Sequence, residues 1–360
     1  MIEDDRDQRT SMQRDDFFFT TDSREHTTCR FRTDGLTFWT DVPPITHRTP
    51  DELAARVAHL KTHENEDQRS ERWFQRRSNA ITASALAMIL GLNPYGNNTD
   101  DIILEKCGHP VKRFSNLRTE WGQKYERCSA MIYSHITGQP VEEYGLIFHD
   151  HHSFLAASPD GIRDDGVMLE IKNVTGRQIT GIPPVYYYCQ VQLQLEVCDL
   201  ERCDFLETEI KEYTMREYMA DTTHTMKGCV MMITREDSDD KRFFYSPLNM
   251  DQDAYLTWKQ QQLAEIPADW EFRLMSFWYL DKVSCVPIYR DRDWFANYFP
   301  MMRSFWDQVE HHRRVGVDEI LQRKTVKATK TAQRRMTKMQ RLAAAAPILE
   351  EEEPVLVGEL

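Results

Sequence analysis

At 360 residues, with 41% hydrophobic and 11% aromatic residues, the chain can bury a real core in one enlarged domain or two modest ones. Its 29% charged fraction is ordinary, and no apolar run is long enough to span a bilayer, so a soluble intracellular protein is expected. A net charge of −13 weighs against a general nucleic-acid binder, but acidic residues gather at the two ends and at 236–240, so the charge of any one surface is a separate matter.

The amino terminus, MIEDDRDQRT, is acidic and polar and reads as neither a secretory signal nor a mitochondrial presequence. Residues 1–48 lack sustained periodicity and read as a polar extension, despite the Phe17-Phe18-Phe19 triplet. A helix is predicted after Thr49-Pro50-Asp51, with Thr49 as N-cap and Leu53, Val57 and Leu60 on one face. A second is expected over 83–90, stopped by Gly91, and a longer one over 118–136, carrying Trp121, Tyr125, Ile132 and Tyr133 and ended by Gly138. From about residue 144 the period changes to two, and 154–156 and 167–174 read as strands. Pro183-Pro184 opens a helix to about 197; 204–213 and 228–234 alternate again as returning strands. The order implies an α/β fold, a central mixed sheet flanked by helices, with a polar extension (1–48), a core (49–248), an aromatic-rich subdomain (249–310) and a basic then acidic tail (311–360).

Residues 313–341 hold ten basic and two acidic residues, the one clearly cationic stretch. It reads either as an arm that touches nucleic-acid phosphates or as a solvated tail or localisation signal. The eight cysteines include no C-x-x-C pair and read as reduced, mostly buried thiols, and His149, His151 and His152 match no standard metal spacing.

The informative segment is Ser158-Pro159-Asp160-Gly161 followed by Leu169-Glu170-Ile171-Lys172. Any one of these residues alone would be a charged hairpin surface. In 167–172, however, the odd positions are apolar, so Glu170 and Lys172 project together from the other side of the strand. An adjacent strand ending at Asp160 can bring a second carboxylate beside Glu170. Two carboxylates and the Ile171 carbonyl are hard oxygen ligands suited to Mg²⁺ or Mn²⁺. Lys172 can orient or help deprotonate a water and offset phosphate charge, which together describe metal-assisted phosphodiester hydrolysis.

With these motifs in view, the chain resembles the lambda-exonuclease-like, YqaJ-type viral recombinase nucleases of the PD-(D/E)XK superfamily. The resemblance covers roughly residues 72–210, and more weakly 270–310. Arg77-Ser78-Asn79-Ala80-Ile81-Thr82-Ala83-Ser84 is similar to the family's phosphate-contacting segment, and Gly91-Leu92-Asn93-Pro94-Tyr95 to its following turn. Gly122-Gln123-Lys124-Tyr125-Glu126 resembles its Gly-x-x-x-Glu helix, and Tyr188-Cys189-Gln190-Val191-Gln192 the helix whose first Gln lies beside the active Lys. The resemblance implies a restriction-endonuclease-like core in which Asp160, Glu170, the Ile171 carbonyl and Glu126 hold Mg²⁺ (or Mn²⁺). It implies that Lys172 serves the water, with Gln190 beside it, and that Arg77, Ser84 and Ser158 hold phosphate. Thr82 is a further phosphate candidate, although a helix cap is its simplest use. Trp121 and Tyr125 fit packing better than base stacking.

The implied activity is a 5′-to-3′ exonuclease on double-stranded DNA ends, in recombination, replication or repair of a large DNA virus, in host cytoplasm or nucleus. The implied partners are duplex DNA, a single-strand annealing protein and two further copies in a trimer. The alternatives are an endonuclease of the same superfamily, a DNA-binding or assembly protein on an inactive nuclease fold, and a metal-dependent hydrolase of another phosphate ester.

Overall fold

The computed structural model describes residues 29–31, 37–39, 48–63, 70–96, 98–109, 117–235, 238 and 240–344. Of the polar extension this leaves Arg48, Thr49's neighbour, and a small hairpin, β1 (Cys29–Phe31) and β2 (Thr37–Trp39). The phenylalanine triplet and the acidic end of the tail lie outside the described residues.

Helix α1 (Pro50–Leu60) starts where Thr49 and Glu52 form a reciprocal capping box, and it buries Leu53, Val57 and Leu60 as their spacing requires. Then come α2 (Glu71–Ser78) and β3 (Ile81–Thr82). The helix expected over 83–90 is a 3-10 turn at Ala83–Ala85 followed by one α turn, α3 (Leu86–Ile89), closed by Gly91 at φ +74. After α4 (Thr99–Lys106), the long α5 (Leu117–Thr137) ends before Gly138, also at positive φ. The strands β4 (Ile147–Phe148), β5 (Leu155–Ala157), β6 (Gly161–Ile162) and β7 (Val167–Asn173) lead into α6 (Val185–Cys198) and β8 (Arg202–Tyr213). Next follow α7 (Met215–Ala220), β9 (Lys227–Arg235), β10 (Lys241–Tyr245), α8 (Gln252–Ala264), β11 (Trp270–Tyr289), α9 (Arg292–Val315) and α10 (Asp318–Ala344).

A six-stranded sheet runs in the order β10-β9-β11-β8-β7-β6, and β3, β5 and β4 form a small second sheet. The β6–β7 pair is antiparallel, whereas β7 and β8 are parallel and joined through α6. This is the central mixed, helix-flanked sheet expected. Helix α5 covers one face, packing Tyr125, Cys128, Ile132 and Tyr133 against Leu169, Ile171 and Leu206. Helix α6 covers the other, packing Cys189, Val191, Leu193 and Val197 against Met168, Cys203 and Phe205. Because both faces of β7 are covered, its side chains from Val167 to Ile171 are all buried, whichever way they point.

The aromatic-rich segment 249–310, expected as a subdomain of its own, supplies β11, which sits inside the main sheet. This 20-residue strand pairs with β9 along its first half and with β8 along its second, and α9 packs Met302, Phe305, Trp306 and Val309 onto the α6 side. Along the edges that face it, β8 and β9 pair with β11 alone, so β11 joins the β10-β9 pair to β8, β7 and β6 and completes the sheet. Cys107, Cys128, Cys189, Cys198, Cys203, Cys229 and Cys285 are free thiols, and all but Cys107 are buried, as expected.

Candidate active site

The site is organised by the short reach of β6. That strand pairs with β7 only at Leu169 and Met168, leaving the outer edge of β7 open from Glu170 onward. Asp160, the residue before β6, turns back to this open edge and accepts the Ile171 N–H at 2.7 Å on Oδ2. Sequence alternation then divides the neighbouring side chains. Ile171 faces α5, and Glu170 and Lys172 lie under α6.

Beneath α6, the Glu170 carboxylate is almost fully buried, at 1% exposed. Gln190 Nε2 donates to its Oε1 and Gln194 Nε2 to its Oε2, both at 2.6 Å, and the Lys172 ammonium also reaches Oε1. Four residues apart on a helix, the two glutamines share one face. The Lys172 ammonium also lies 4.7 Å from the centre of the Tyr187 ring. Burial would pull the lysine pKa down, but the charges of Glu170 and Asp160 outweigh it and hold the pKa above the ordinary lysine value. Lys172 is therefore a fixed cation in this arrangement.

On the α5 side Asp160 lines an open cleft of about 720 Å³ between α5 and β10. Five carboxylates border it (Glu120, Glu126, Glu143, Asp160 and Asp240), against two cations, Arg127 and Lys241. Burial pushes the Asp160 carboxyl well above the usual aspartate range, and the charges of Glu170 and Glu126 push it the same way, opposed by Lys172 and the Ile171 N–H. A divalent cation fits this donor set. Its ligands would be hard oxygens, and its charge would relieve a crowding that otherwise favours a proton on Asp160. The described residues contain one trio of histidine, cysteine or carboxylate donors within 4.8 Å of one another, and it lies elsewhere, at His59, His63 and Asp150. There Asp150 already pairs with Arg56 at 2.6 Å.

The remaining expected residues divide. Arg77 Nη2 donates to Thr82 Oγ1 and Ser84 Oγ, each at 3.2 Å, and its guanidinium carbon lies 4.2 Å from the Trp73 ring centre. Those three residues form one group. Thr82 does not cap the following turn, because its hydroxyl accepts from Arg77 instead. Ser158 follows β5, which pairs in parallel with β3, and donates its hydroxyl to the Gly145 carbonyl at 3.0 Å. Trp121 and Tyr125 pack with their rings tilted at 52° and 4.6 Å between centres, and Tyr125 is fully buried, which is packing. Gln194 was not among the expected site residues. The signal for it was a glutamine four residues after Gln190 on a largely buried helix, since a buried helix face keeps a polar side chain where it has a partner.

Residues 72–201 match the family model of the YqaJ-like viral recombinase domain. The YqaJ-like segment contains α2, the Arg77 group, the Asp160 turn, β7 and α6. An uncharacterized protein of Acanthamoeba polyphaga mimivirus is 30% identical over 292 residues, which are 69% of this chain and 53% of that protein. The chain thus spans about half the length of the curated relative it matches. Among solved structures, an alkaline exonuclease from Laribacter hongkongensis is 21% identical with a TM-score of 0.43, covering 72% of this chain and 100% of that one. A phage-related exonuclease from Haemophilus somnus is 12% identical with a TM-score of 0.38, covering 65% and 96%. Among the described residues no helix is long and apolar enough to cross a membrane.

Proposed function

We propose that the chain is a metal-dependent deoxyribonuclease that hydrolyses phosphodiester bonds at Asp160, Glu170 and Lys172. One observation carries the reading. Across the open edge of β7, Asp160, Glu170 and Lys172 interact electrostatically, and Asp160 also borders a solvent-open cleft. Asp160, Glu170, the Ile171 carbonyl and Glu126 would hold Mg²⁺ or Mn²⁺, which when bound supplies Lewis-acid stabilisation and a water of lowered pKa. Lys172, kept charged by its neighbours, orients the attacking water and offsets charge gathering on the phosphate. Gln190 and Gln194 fix the Glu170 carboxylate, so its donor oxygens need no reorganisation during the reaction. Arg77 with Ser84 and Thr82 forms a phosphate-holding group, the guanidinium being braced by Trp73.

The family resemblance extends the proposal to 5′-to-3′ digestion of double-stranded DNA ends in viral recombination, replication or repair, with a trimer as the assembly and a single-strand annealing protein as partner. End-labelled linear duplex incubated with Mg²⁺ tests both levels. The proposal expects label released from linear duplex, closed circles left intact, and no reaction in EDTA. Cleavage of closed circles would replace the exonuclease with an endonuclease. Absence of any cleavage by the metal-supplied protein would overturn the nuclease.

A further inference from the structure

The cleft that carries the candidate chemistry is bordered mainly by carboxylates, so a polyanion approaching it needs its favourable electrostatics from another part of the protein. Helix α10 has that charge, arranged with a helical period. Arg323, Lys327, Lys330, Arg334 and Lys338 are spaced by four, three, four and four residues, which puts them on one side of the helix. All five are exposed. At 1.5 Å per residue the stripe is about 22 Å long, with roughly one cation per turn. The opposite side carries Leu321, Thr325, Ala328, Met336 and Met339, without an aromatic residue.

The root of the helix is fixed to the core. Val317 and Ile320 are buried in the main core, Arg323 pairs with Asp100 at 3.1 Å, and Lys324 pairs with Asp101, both on α4. That helix in turn is tied to the Arg77 group, since Lys106 Nζ donates to the Arg77 carbonyl at 2.6 Å. At the end of α9, Arg313 donates to the carbonyls of Lys106 and Ser78, at 2.9 and 2.8 Å. The basic stripe therefore springs from the same side of the molecule as the residues read as phosphate-holding.

We propose that the basic side of α10 binds the sugar-phosphate backbone of duplex DNA lying outside the catalytic cleft. The inference rests on the nuclease reading for its substrate but on separate residues for its binding energy. A stripe of about 22 Å, less than one turn of DNA, contacting phosphates through side-chain cations alone, gives affinity without sequence preference. An anionic membrane is the other surface such a helix could meet. Its uncharged side, made largely of small residues and two methionines with no tryptophan or phenylalanine, is poorly suited to insertion.

The test uses the full chain with Lys330→Glu, Arg334→Glu and Lys338→Glu combined, none of them in the catalytic or phosphate-holding group. Binding of a labelled duplex several helical turns long is titrated in EDTA over a range of salt. In parallel, single-turnover cleavage in Mg²⁺ is followed at saturating protein. Each lost phosphate contact should lower the slope of log affinity against log salt by about 0.9, so the triple variant should lose a slope of about 2 to 3 and bind at least tenfold more weakly at low salt. Saturated cleavage should stay within about twofold of wild type. An unchanged duplex affinity and slope overturns the inference. So does loss of binding to phosphatidylserine vesicles with duplex binding intact, which would assign the helix to a membrane. If neither protein cleaves but the slope still falls, the nuclease reading fails and the phosphate-binding helix stands.

Discussion

The two faces of β7 handle negative charge in opposite ways. Under α6 the carboxylate of Glu170 is buried and fully matched, by two amides and an ammonium. On the α5 side Asp160 borders a cleft whose other carboxylates add to its burden, and its pKa rises. The same strand thus joins a pre-organised, neutralised half to a half with a surplus of negative charge. A folded protein tolerates the first arrangement because both oxygens of the carboxylate are partnered, and keeps the second where a cation is to bind. The contrast explains why the site can be rigid and still call for a metal.

Breaking either half should give the largest effect. Asp160→Asn and Lys172→Ala should each lower cleavage of linear duplex by about a thousandfold or more, while circular dichroism and duplex binding stay near wild type. Activity of either purified variant within about tenfold of wild type would show that the half it breaks is not needed. A stability effect comes next. Gln194→Leu strands one oxygen of a buried carboxylate and should cost about 1–3 kcal/mol in urea unfolding. Gln190→Leu should cost less, since Gln190 is half-buried and its acceptor oxygen keeps Lys172. Equal losses would mean that the two amides are not distinguished by burial.

The charge surplus on the α5 side can be read by pH in metal-free protein. The folded state holds the Asp160 proton more tightly than the unfolded chain does. The stability this group contributes is therefore complete below the ordinary aspartate pKa and is lost as pH rises through the raised folded value. In EDTA the melting temperature of wild type should fall relative to that of Asp160→Asn as pH increases across that window. Parallel curves would remove the electrostatic half of the comparison. The smallest effect is expected far from β7, where Thr49→Ala removes the capping box of α1 at about 1 kcal/mol and leaves cleavage unchanged.

Much of the framework was legible in the residues. Thr49 with Pro50, the glycines after α3 and α5, and the double proline before α6 all sit at chain positions where local backbone chemistry decides the outcome. Strand β7 was legible through its alternation, and the Asp160, Glu170 and Lys172 set through its spacing. Strand β10 was not, because 241–245 is five residues long and takes its hydrogen bonds from β9 alone. The place of β11 was not legible either. Its aromatic composition marks a buried strand but says nothing about which two neighbours it separates.

The sequence by itself determined where helices start and stop, which strand carries the carboxylate and the lysine, and that two glutamines share a face of α6. These follow from interactions a few residues long. Only the tertiary structure decided that those glutamines meet Glu170, that Asp160 is crowded by Glu126 from α5, and that the Ser158 hydroxyl bonds to Gly145. Those are contacts between residues far apart in the chain, and they exist only once packing has closed both faces of the sheet.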